Sequence, residues 1–384
     1  MSVTAARGFA ASGVECGIRK TGRDLAVVRS LTPAVGAGMF TTNRVQAAPV
    51  RVSKAHLAVA QPQAVVVNSG VANAATGERG ELDALATAAD AALLLDLRVE
   101  EVLVLSTGVI GAHLPLDRVR TGLEAAAAVL SPEGGADAAE AILTTDTRAK
   151  EAVADGGGFV VGGMAKGSGM IHPALATMLA VVTTDYPLAP GEADAFLRPA
   201  VESTFNRISV DGECSTNDAV LLLANGASHA ARDDDAFAAA LEEVCASLAR
   251  QVVDDGEGKT VLIEVRVSGA VDDREAAAVA RRVATSPLVK TAAFGRDPNW
   301  GRVLAAAGSA PMNGGFAQLE TGRVTLAFNG TTVFAGGAPR GEDPALDGPL
   351  LAVDLDLGLG GGAATYLASD LTYDYVRINA EYTT

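Results

Sequence analysis

Residues 161–185 read VGGMAKGSGMIHPALATMLAVVTTD, and this stretch carries most of the interpretation of the chain. A glycine-rich loop containing Lys166 precedes the apolar run 178–182, which is typical of a buried strand. Thr177 stands at the junction, where flexible glycine backbone allows the chain to bend sharply. This layout is expected of a threonine whose hydroxyl cuts the peptide bond before it, after Ala176, and then serves as a nucleophile. A plain turn into a core strand explains the same pattern.

Outward from this stretch, short β-branched runs alternate with Ala- and Leu-rich segments of helical periodicity. Strands are predicted at 65–67, 102–105, 159–161, 178–182, 261–267, 289–294, 323–328 and 350–357. Helices are predicted at 81–97, 116–130, 136–143, about 190–204, 234–254 and 273–284. This alternation predicts an α/β fold of the mixed, α+β kind, with mixed sheet layers.

Length and composition bound the possibilities further. The 384 residues suggest two domains, or one large and one small. Hydrophobic residues make up 49% of the chain, enough for a packed core. The net charge of -16 argues against nucleic-acid and anionic-membrane partners, since both favour a basic surface. The apolar runs fall far short of the ~20 residues that cross a bilayer, and no signal peptide is apparent. A cytoplasmic protein is therefore expected.

Several familiar site patterns are incomplete. Three cysteines without a CxxC pair and four histidines without metal-ligand spacing predict neither a disulfide framework nor a metal site. The sequence 258–260, GKT, lacks the upstream glycine of a phosphate-binding loop, because position 253 is Val253. The GLGGGA run at 358–363 has too little chain after it for a dinucleotide fold, so it predicts a tight turn from a strand into a helix.

Longer segments resemble one family. The run MAKGSGMIHPALATML is similar to the self-processing segment of the ornithine acetyltransferases, also called glutamate N-acetyltransferases, of arginine biosynthesis. Further matching segments follow in order from the beginning to the end of the chain: VVVNSGVANAATG at 65–77, LSTGVIG at 105–111, AILTTDT at 141–147, FNRISVDGECSTNDAVLLLANG at 205–226, DGEGKT at 255–260, VKTAAFGRDPNWGRVLAAAG at 289–308 and DLTYDYVRINAEYTT at 370–384. The resemblance implies a self-processing fold with an N-terminal threonine nucleophile, of the ornithine acetyltransferase and aminopeptidase type.

The resemblance also implies a catalytic arrangement. Thr177 is the expected nucleophile, and its new α-amino group, with a reference pKa near 7.7–8.0, is the expected base. Nearby Lys166 would lower the pKa of that amine, because like charges disfavour protonation. Thr107 and Gly108 are the expected oxyanion hole, donating from a hydroxyl and a backbone N–H.

The expected substrate contacts come from the same resemblance: Thr144, Lys166, Thr177, Glu257, Asn379 and Thr384. Lys166 suits a carboxylate and Glu257 an ammonium. The apolar run of Tyr373, Tyr375, Val376 and Ile378 is expected to anchor the chain end. His172 stands where the family more often has a small residue, so an effect on the pH dependence of cleavage is expected.

The implied reaction moves an acetyl group from N2-acetylornithine to glutamate in ping-pong fashion, with no metal and no organic cofactor. Cleavage would give pieces 1–176 and 177–384, and the family implies a heterotetramer with two copies of each. Some family members also take acetyl groups from acetyl-CoA. Two other hypotheses remain: the protein is an amidase or aminopeptidase that uses water as the acceptor, or it is a non-catalytic binding protein.

Overall fold

The structure is a computed structural model that describes residues 2–172, 178–341 and 343–381. The chain forms two compact units. The first consists of the described residues within 2–206 and 213–255, and the second of those within 207–212 and 256–381. None of the helices among these residues combines the length and the apolar character that crossing a bilayer requires.

The strands described in the first unit form two sheets. The four-stranded sheet has the order β1 (Phe9–Val14), β2 (Leu25–Ser30), β4 (Ala64–Val71) and β5 (Val102–Val109). The five-stranded sheet has the order β3 (Val35–Phe40), β10 (Ala219–Ala224), β8 (Leu179–Thr184), β7 (Val160–Lys166) and β6 (Lys150–Asp155). Both sheets are mixed, since β4 pairs with β5 and β8 with β10 in parallel, while the other neighbours pair antiparallel.

Side-chain alternation explains how these sheets pack. Val65 and Val67 join a core cluster shared with the five-stranded sheet, whereas Val66, between them, joins a second cluster with helical alanines. The α-helices formed by the described residues of this unit are α1 (Ala48–Leu57), α2 (Gly77–Leu95), α3 (Leu116–Ala128), α4 (Gly135–Ala141), α5 (Ala193–Ser203) and α6 (Asp234–Asp254). Helices α2 and α3 supply the second cluster, and α6 packs on β6 and β7.

Helix α1 packs along the edge of β5 that has no neighbouring strand. Ser53 Oγ donates to Val104 O at 2.7 Å and accepts from Val104 N at 2.9 Å. Nδ1 of His56 lies 2.8 Å from Val102 O. These side chains satisfy backbone groups that an edge strand otherwise leaves open.

The second unit is built on a seven-stranded sheet. Its order is β16 (Ala338–Pro339), β15 (Thr331–Ala335), β14 (Thr325–Phe328), β17 (Leu350–Asp356), β11 (Leu262–Ala270), β18 (Gly362–Ser369) and β9 (Ile208–Ser209). A small hairpin joins β12 (Pro311–Met312) to β13 (Gly315–Phe316). The helices are α7 (Asp273–Ala284), α8 (Pro287–Phe294), α9 (Trp300–Ala307) and α10 (Tyr373–Glu381). Valines of β11 and α7 lie in one core cluster. The predicted mixed α/β class is confirmed.

The strand predicted at 289–294 is wrong, because this segment is helix α8. Ser286 caps the helix by accepting from Val289 N, and Pro287 occupies its first turn. The helix carries Lys290 inward, where Nζ donates to the carbonyls of Val210 and Ser369, each at 2.5 Å. An N-cap followed by proline therefore outweighs the short apolar run.

The predicted turn from strand to helix at 358–363 is also wrong in part. The turn is present, with Gly358 at a φ of +64°, but it connects strand β17 to strand β18. The peptide N–H of Gly358 donates to Asp356 Oδ1 at 3.1 Å, which stabilises the turn.

Candidate active site

Thr107 and Gly108 lie near the end of β5, beside the glycine-containing end of β4. Gly70 and Gly108 are direct partners, and the register shifts at the next residue, as in a β-bulge. Gly108 has a φ of +128°, and a Cβ at this position would lie 2.3 Å from the carbonyl carbon of Gly70. Glycine is therefore required here by backbone conformation and by contact. Thr107 is buried, with 5% of its surface exposed.

Buried amides fix the backbone around this strand end. Asn217 Nδ2 donates to Ser106 O at 2.8 Å and to Ala72 O at 2.6 Å. Ser106 Oγ donates to Asn68 Oδ1 at 2.5 Å, and Asn68 Nδ2 donates to Val71 O at 2.8 Å. The network joins both strand ends to the segment that precedes β10, so the backbone of Thr107 and Gly108 is held from two sides.

Thr144 and Lys166 meet at a carboxylate that the sequence analysis does not single out, that of Asp146. Asp146 Oδ2 accepts from the Thr144 N–H at 3.0 Å and lies 3.8 Å from Lys166 Nζ. Its Oδ1 accepts from the Gly167 N–H at 2.6 Å. The loop after α4 and the glycine-rich loop after β7 are therefore joined by one buried side chain.

A second buried lysine balances this carboxylate. Lys150 Nζ lies 2.6 Å from Asp146 Oδ1 and 2.7 Å from Asp255 Oδ2. The side chains of Lys150 and Asp146 are both 0% exposed. Asp255 also accepts from the Thr147 N–H at 3.0 Å. Two carboxylates and two lysines thus form a buried cluster in which the formal charges balance, as buried ions require.

The pKa of Asp146 is shifted downward. Burial is the largest single influence and opposes ionisation, but the charges of Lys166 and Lys150 and the hydrogen bonds from Lys150 and Thr144 outweigh it. The pKa of the Asp146 carboxyl is therefore held below its usual range. At neutral pH the site carries a fixed negative charge beside Lys166.

In the second unit, Glu257 and Asn379 are hydrogen-bonded. Asn379 Nδ2 donates to Glu257 Oε2 at 2.9 Å. Gly258 allows the close approach, because its φ is +66° and a Cβ there would lie 2.5 Å from Tyr375 N. Thr372 Oγ1 donates to Gly258 O at 2.7 Å and accepts from Tyr375 N at 3.0 Å, which ties the loop to the start of α10.

Comparison with known proteins identifies the family of the chain. The family model described as "ArgJ family" matches residues 10–384. The chain belongs to the ArgJ family.

Individual relatives agree along the whole chain. Proteins named "Arginine biosynthesis bifunctional protein ArgJ" are similar to it: that of Symbiobacterium thermophilum is 48% identical over 100% of this chain and 98% of its own length. That of Thermobifida fusca is 46% identical over 100% of both. A solved ornithine acetyltransferase from Mycobacterium tuberculosis, complexed with ornithine, is 38% identical, with a TM-score of 0.41, and covers 45% of this chain and 94% of that chain.

The expected site residues of this ArgJ family member lie in both units. The structure brings Thr144 and Lys166 together at Asp146 in the first unit, and Glu257 to Asn379 in the second. Thr107 and Gly108 stand at the end of β5. Three expected positions, Ala176, Thr177 and Thr384, lie outside the described residues.

One expectation about the chain end is wrong. Helix α10 has no buried residue, and Tyr373 is 83% exposed and Val376 59% exposed, so this run does not anchor the end by burial. Polar contacts from Thr372 and Asn379 hold the helix, together with an edge-to-face contact between the rings of Tyr373 and Phe294.

Asp146, Lys150 and Asp255 are the residues of this site that sequence reasoning missed. Asp146 and Asp255 lie within the matching segments at 141–147 and 255–260, but a single sequence gives no sign that carboxylates so far apart share one lysine. An acidic residue two positions after Thr144, in a loop rather than a helix, was the available signal.

Proposed function

We propose that this member of the ArgJ family is a self-cleaving acetyltransferase that moves the acetyl group of N2-acetyl-L-ornithine to L-glutamate. The products are L-ornithine and N-acetyl-L-glutamate. The observation that carries the proposal is the family match over residues 10–384. Relatives named for arginine biosynthesis and an ornithine acetyltransferase solved with ornithine support it.

The proposed chemistry is ping-pong acyl transfer through Thr177. In the first half, the Thr177 hydroxyl forms a bond to the acetyl carbon and the carbon–nitrogen bond of acetylornithine breaks. The hydroxyl proton passes through the α-amino group of Thr177 to the departing ornithine nitrogen. In the second half, the glutamate nitrogen forms a bond to the acetyl carbon and the ester bond to Thr177 breaks. A proton from the glutamate nitrogen passes through the α-amino group to the threonine oxygen.

Thr107 and Gly108 are proposed to stabilise the oxyanion of both steps. Oxyanion donors typically contribute about 2.7–4 kcal/mol to acyl transfer when they are fixed in advance. The bulge between Gly70 and Gly108 and the Asn217 amide hold this backbone in place, which supports that role.

Lys166 is proposed to bind the α-carboxylate of the substrates, with Thr144 donating beside it. Buried Lys166 already lies 3.8 Å from Asp146, so a second carboxylate would enter a cluster that Lys150 keeps from becoming too negative. Glu257 and Asn379 are proposed to bind the amino groups of ornithine, together with Thr384. Their mutual hydrogen bond holds an acceptor in a fixed place.

We further propose that cleavage after Ala176 gives pieces 1–176 and 177–384, which assemble as two copies of each in the cytoplasm. The reaction as written uses neither metal nor organic cofactor. The relatives' name "bifunctional" supports a second activity in which acetyl-CoA replaces acetylornithine as the donor.

Denaturing mass spectrometry of freshly purified protein tests the proposal first. Two fragments divided before Thr177, followed by glutamate-dependent formation of N-acetylglutamate from acetylornithine, are expected. A single stable 38.8 kDa chain would overturn the proposal. Release of free acetate without glutamate would instead identify an amidase that uses water.

A further inference from the structure

Asp218 is a fully buried carboxyl group to which the proposed transfer mechanism assigns no part. It stands at the start of β10 and is 1% exposed. Its Oδ1 accepts from the backbone N–H of Met178 at 3.1 Å, and Met178 O accepts from Ala219 N at 3.1 Å. Both backbone groups of the residue that follows Thr177 are therefore bound to the segment of Asp218.

The second oxygen of Asp218 has no hydrogen-bond partner in the described part of the chain. That oxygen is buried and unsatisfied. A buried polar atom without a partner is costly, so it calls for an explanation beyond packing.

The surroundings of Asp218 favour the protonated form of its carboxyl group. Burial, which outweighs the hydrogen bond from the Met178 amide and the charge of Lys166, raises the pKa of the Asp218 carboxyl well above its usual value. A carboxylic acid here has a proton to donate and a free oxygen that carries it.

Covalent geometry limits what this proton can reach. Three backbone bonds separate the nitrogen of residue 177 from that of Met178, so the two atoms are at most about 4 Å apart. Since Asp218 binds the Met178 nitrogen directly, its carboxyl group is within one residue of the nitrogen that self-cleavage releases.

We propose that Asp218 is the general acid of self-cleavage, donating its Oδ2 proton to the departing nitrogen of Thr177. The inference rests on the proposed function. In this step the Thr177 oxygen forms an ester bond to the Ala176 carbonyl carbon and loses its proton to solvent. The bond from that carbon to the Thr177 nitrogen breaks, and the nitrogen takes the proton of Asp218, which is then restored from solvent. Water hydrolyses the ester afterwards.

The test follows cleavage of the full chain during cell-free synthesis by denaturing mass spectrometry. Asp218→Asn keeps the size and the acceptor oxygen but removes the acid, so cleavage at least 100-fold slower than in the wild type is expected, as general acids typically contribute about 10²–10⁴-fold. Asp83→Asn is the matched control. Asp83 is also buried, and its Oδ2 accepts no hydrogen bond from the described residues, although Arg79 Nε lies 3.9 Å away. It lies on α2, so wild-type cleavage is expected.

Hydroxylamine identifies the step that is blocked, because it cleaves an ester that has already formed. Since Asp218→Asn is expected to stop before the ester, hydroxylamine should not accelerate its cleavage. Rapid cleavage with hydroxylamine, or cleavage within threefold of the wild type without it, would overturn the inference.

Should Asp218→Asn fail to fold, the pair Asp218→Glu and Asp218→Gln replaces it. The two variants have the same size and differ in the acid alone, so cleavage by the Glu variant only is expected, and equal rates would contradict the inference. If the wild type itself stays intact, the proposed function falls as well. If wild type and Asp218→Asn are both cut, only the role of Asp218 falls.

Discussion

Asp146 Oδ2 lies 3.8 Å from Lys166 Nζ, while the other oxygen of the same carboxylate lies 2.6 Å from Lys150 Nζ. One buried anion is thus shared between a lysine proposed to meet substrate and a lysine that belongs only to the protein framework. The anion beside Lys166 is therefore held in place by a lysine that is fully buried.

Asp146→Asn should destabilise the chain by about 3 kcal/mol, because it removes one member of a fully buried ion cluster and leaves cations uncompensated. Urea unfolding at pH 7 measures the loss. Asp194→Asn is the control, since its partner Arg198 and Asp194 itself are both 51% exposed and such pairs contribute at most about 0.5 kcal/mol. Equal losses in the two variants would contradict the assigned importance of the cluster.

Gly108→Ala should cost about 2 kcal/mol more than Gly111→Ala. Both glycines have positive φ, but a Cβ at Gly108 would lie 2.3 Å from the Gly70 carbonyl carbon, whereas Gly111 has nothing within 4 Å. Thermal and urea unfolding compare the pair. We also expect Gly108→Ala to lower kcat of acetyl transfer, since the proposed oxyanion donor would move. Matching stabilities would show that β4 and β5 can separate without cost.

Gly258→Ala should raise the KM for acetylornithine about tenfold, the value of one hydrogen bond to a charged group. The added carbon would lie 2.5 Å from Tyr375 N and would push the Glu257 loop from α10. Gly341→Ala, with a φ of +70° and open space around it, controls for backbone strain in the same unit. Steady-state kinetics of both variants measure the KM for acetylornithine. A normal KM for Gly258→Ala would separate Glu257 from substrate binding.

Lys290 should make stability rise with pH above about pH 8. Burial lowers the pKa of its ammonium from 10.5 to about 8, so between these values the unfolded chain holds a proton that the folded chain has released. Stability increases wherever the unfolded state binds more protons, here by about 3 kcal/mol in total. Urea unfolding of the wild type and Lys290→Met across pH 7.5–10.5 isolates the effect. Parallel curves for the two proteins would contradict it.

The fold was predictable where caps and periodicity agree. Helix α7 spans 273–284 as predicted, because Asp272 caps it and apolar residues recur along one face. Strands β1 and β3 were not predicted, since FAASGV and VGAGMF are rich in Ala and Gly and each has a single β-branched residue, a valine at one end. Those strands exist because the sheets bury them, which is a property of the whole unit.

The site divides in the same way. Thr144 and Lys166 were found through the family's motifs, and the structure joins them. Asp146 was not found, because its importance comes from Lys150 and Lys166, which meet it only in the folded chain. Asp218 escaped notice for a similar reason, as its burial depends on strands that are distant in sequence.

The order of strands in the five-stranded sheet bears on the life of the processed enzyme. Strands β3, β6 and β7 precede the proposed cut, and β8 and β10 follow it. The order β3-β10-β8-β7-β6 places the two later strands between β3 on one side and β7 and β6 on the other. The two polypeptides would be woven through one another rather than docked side by side. Maturation would then be a one-way event: once separated in denaturant, the halves would have to rebuild a shared sheet from two chains instead of one.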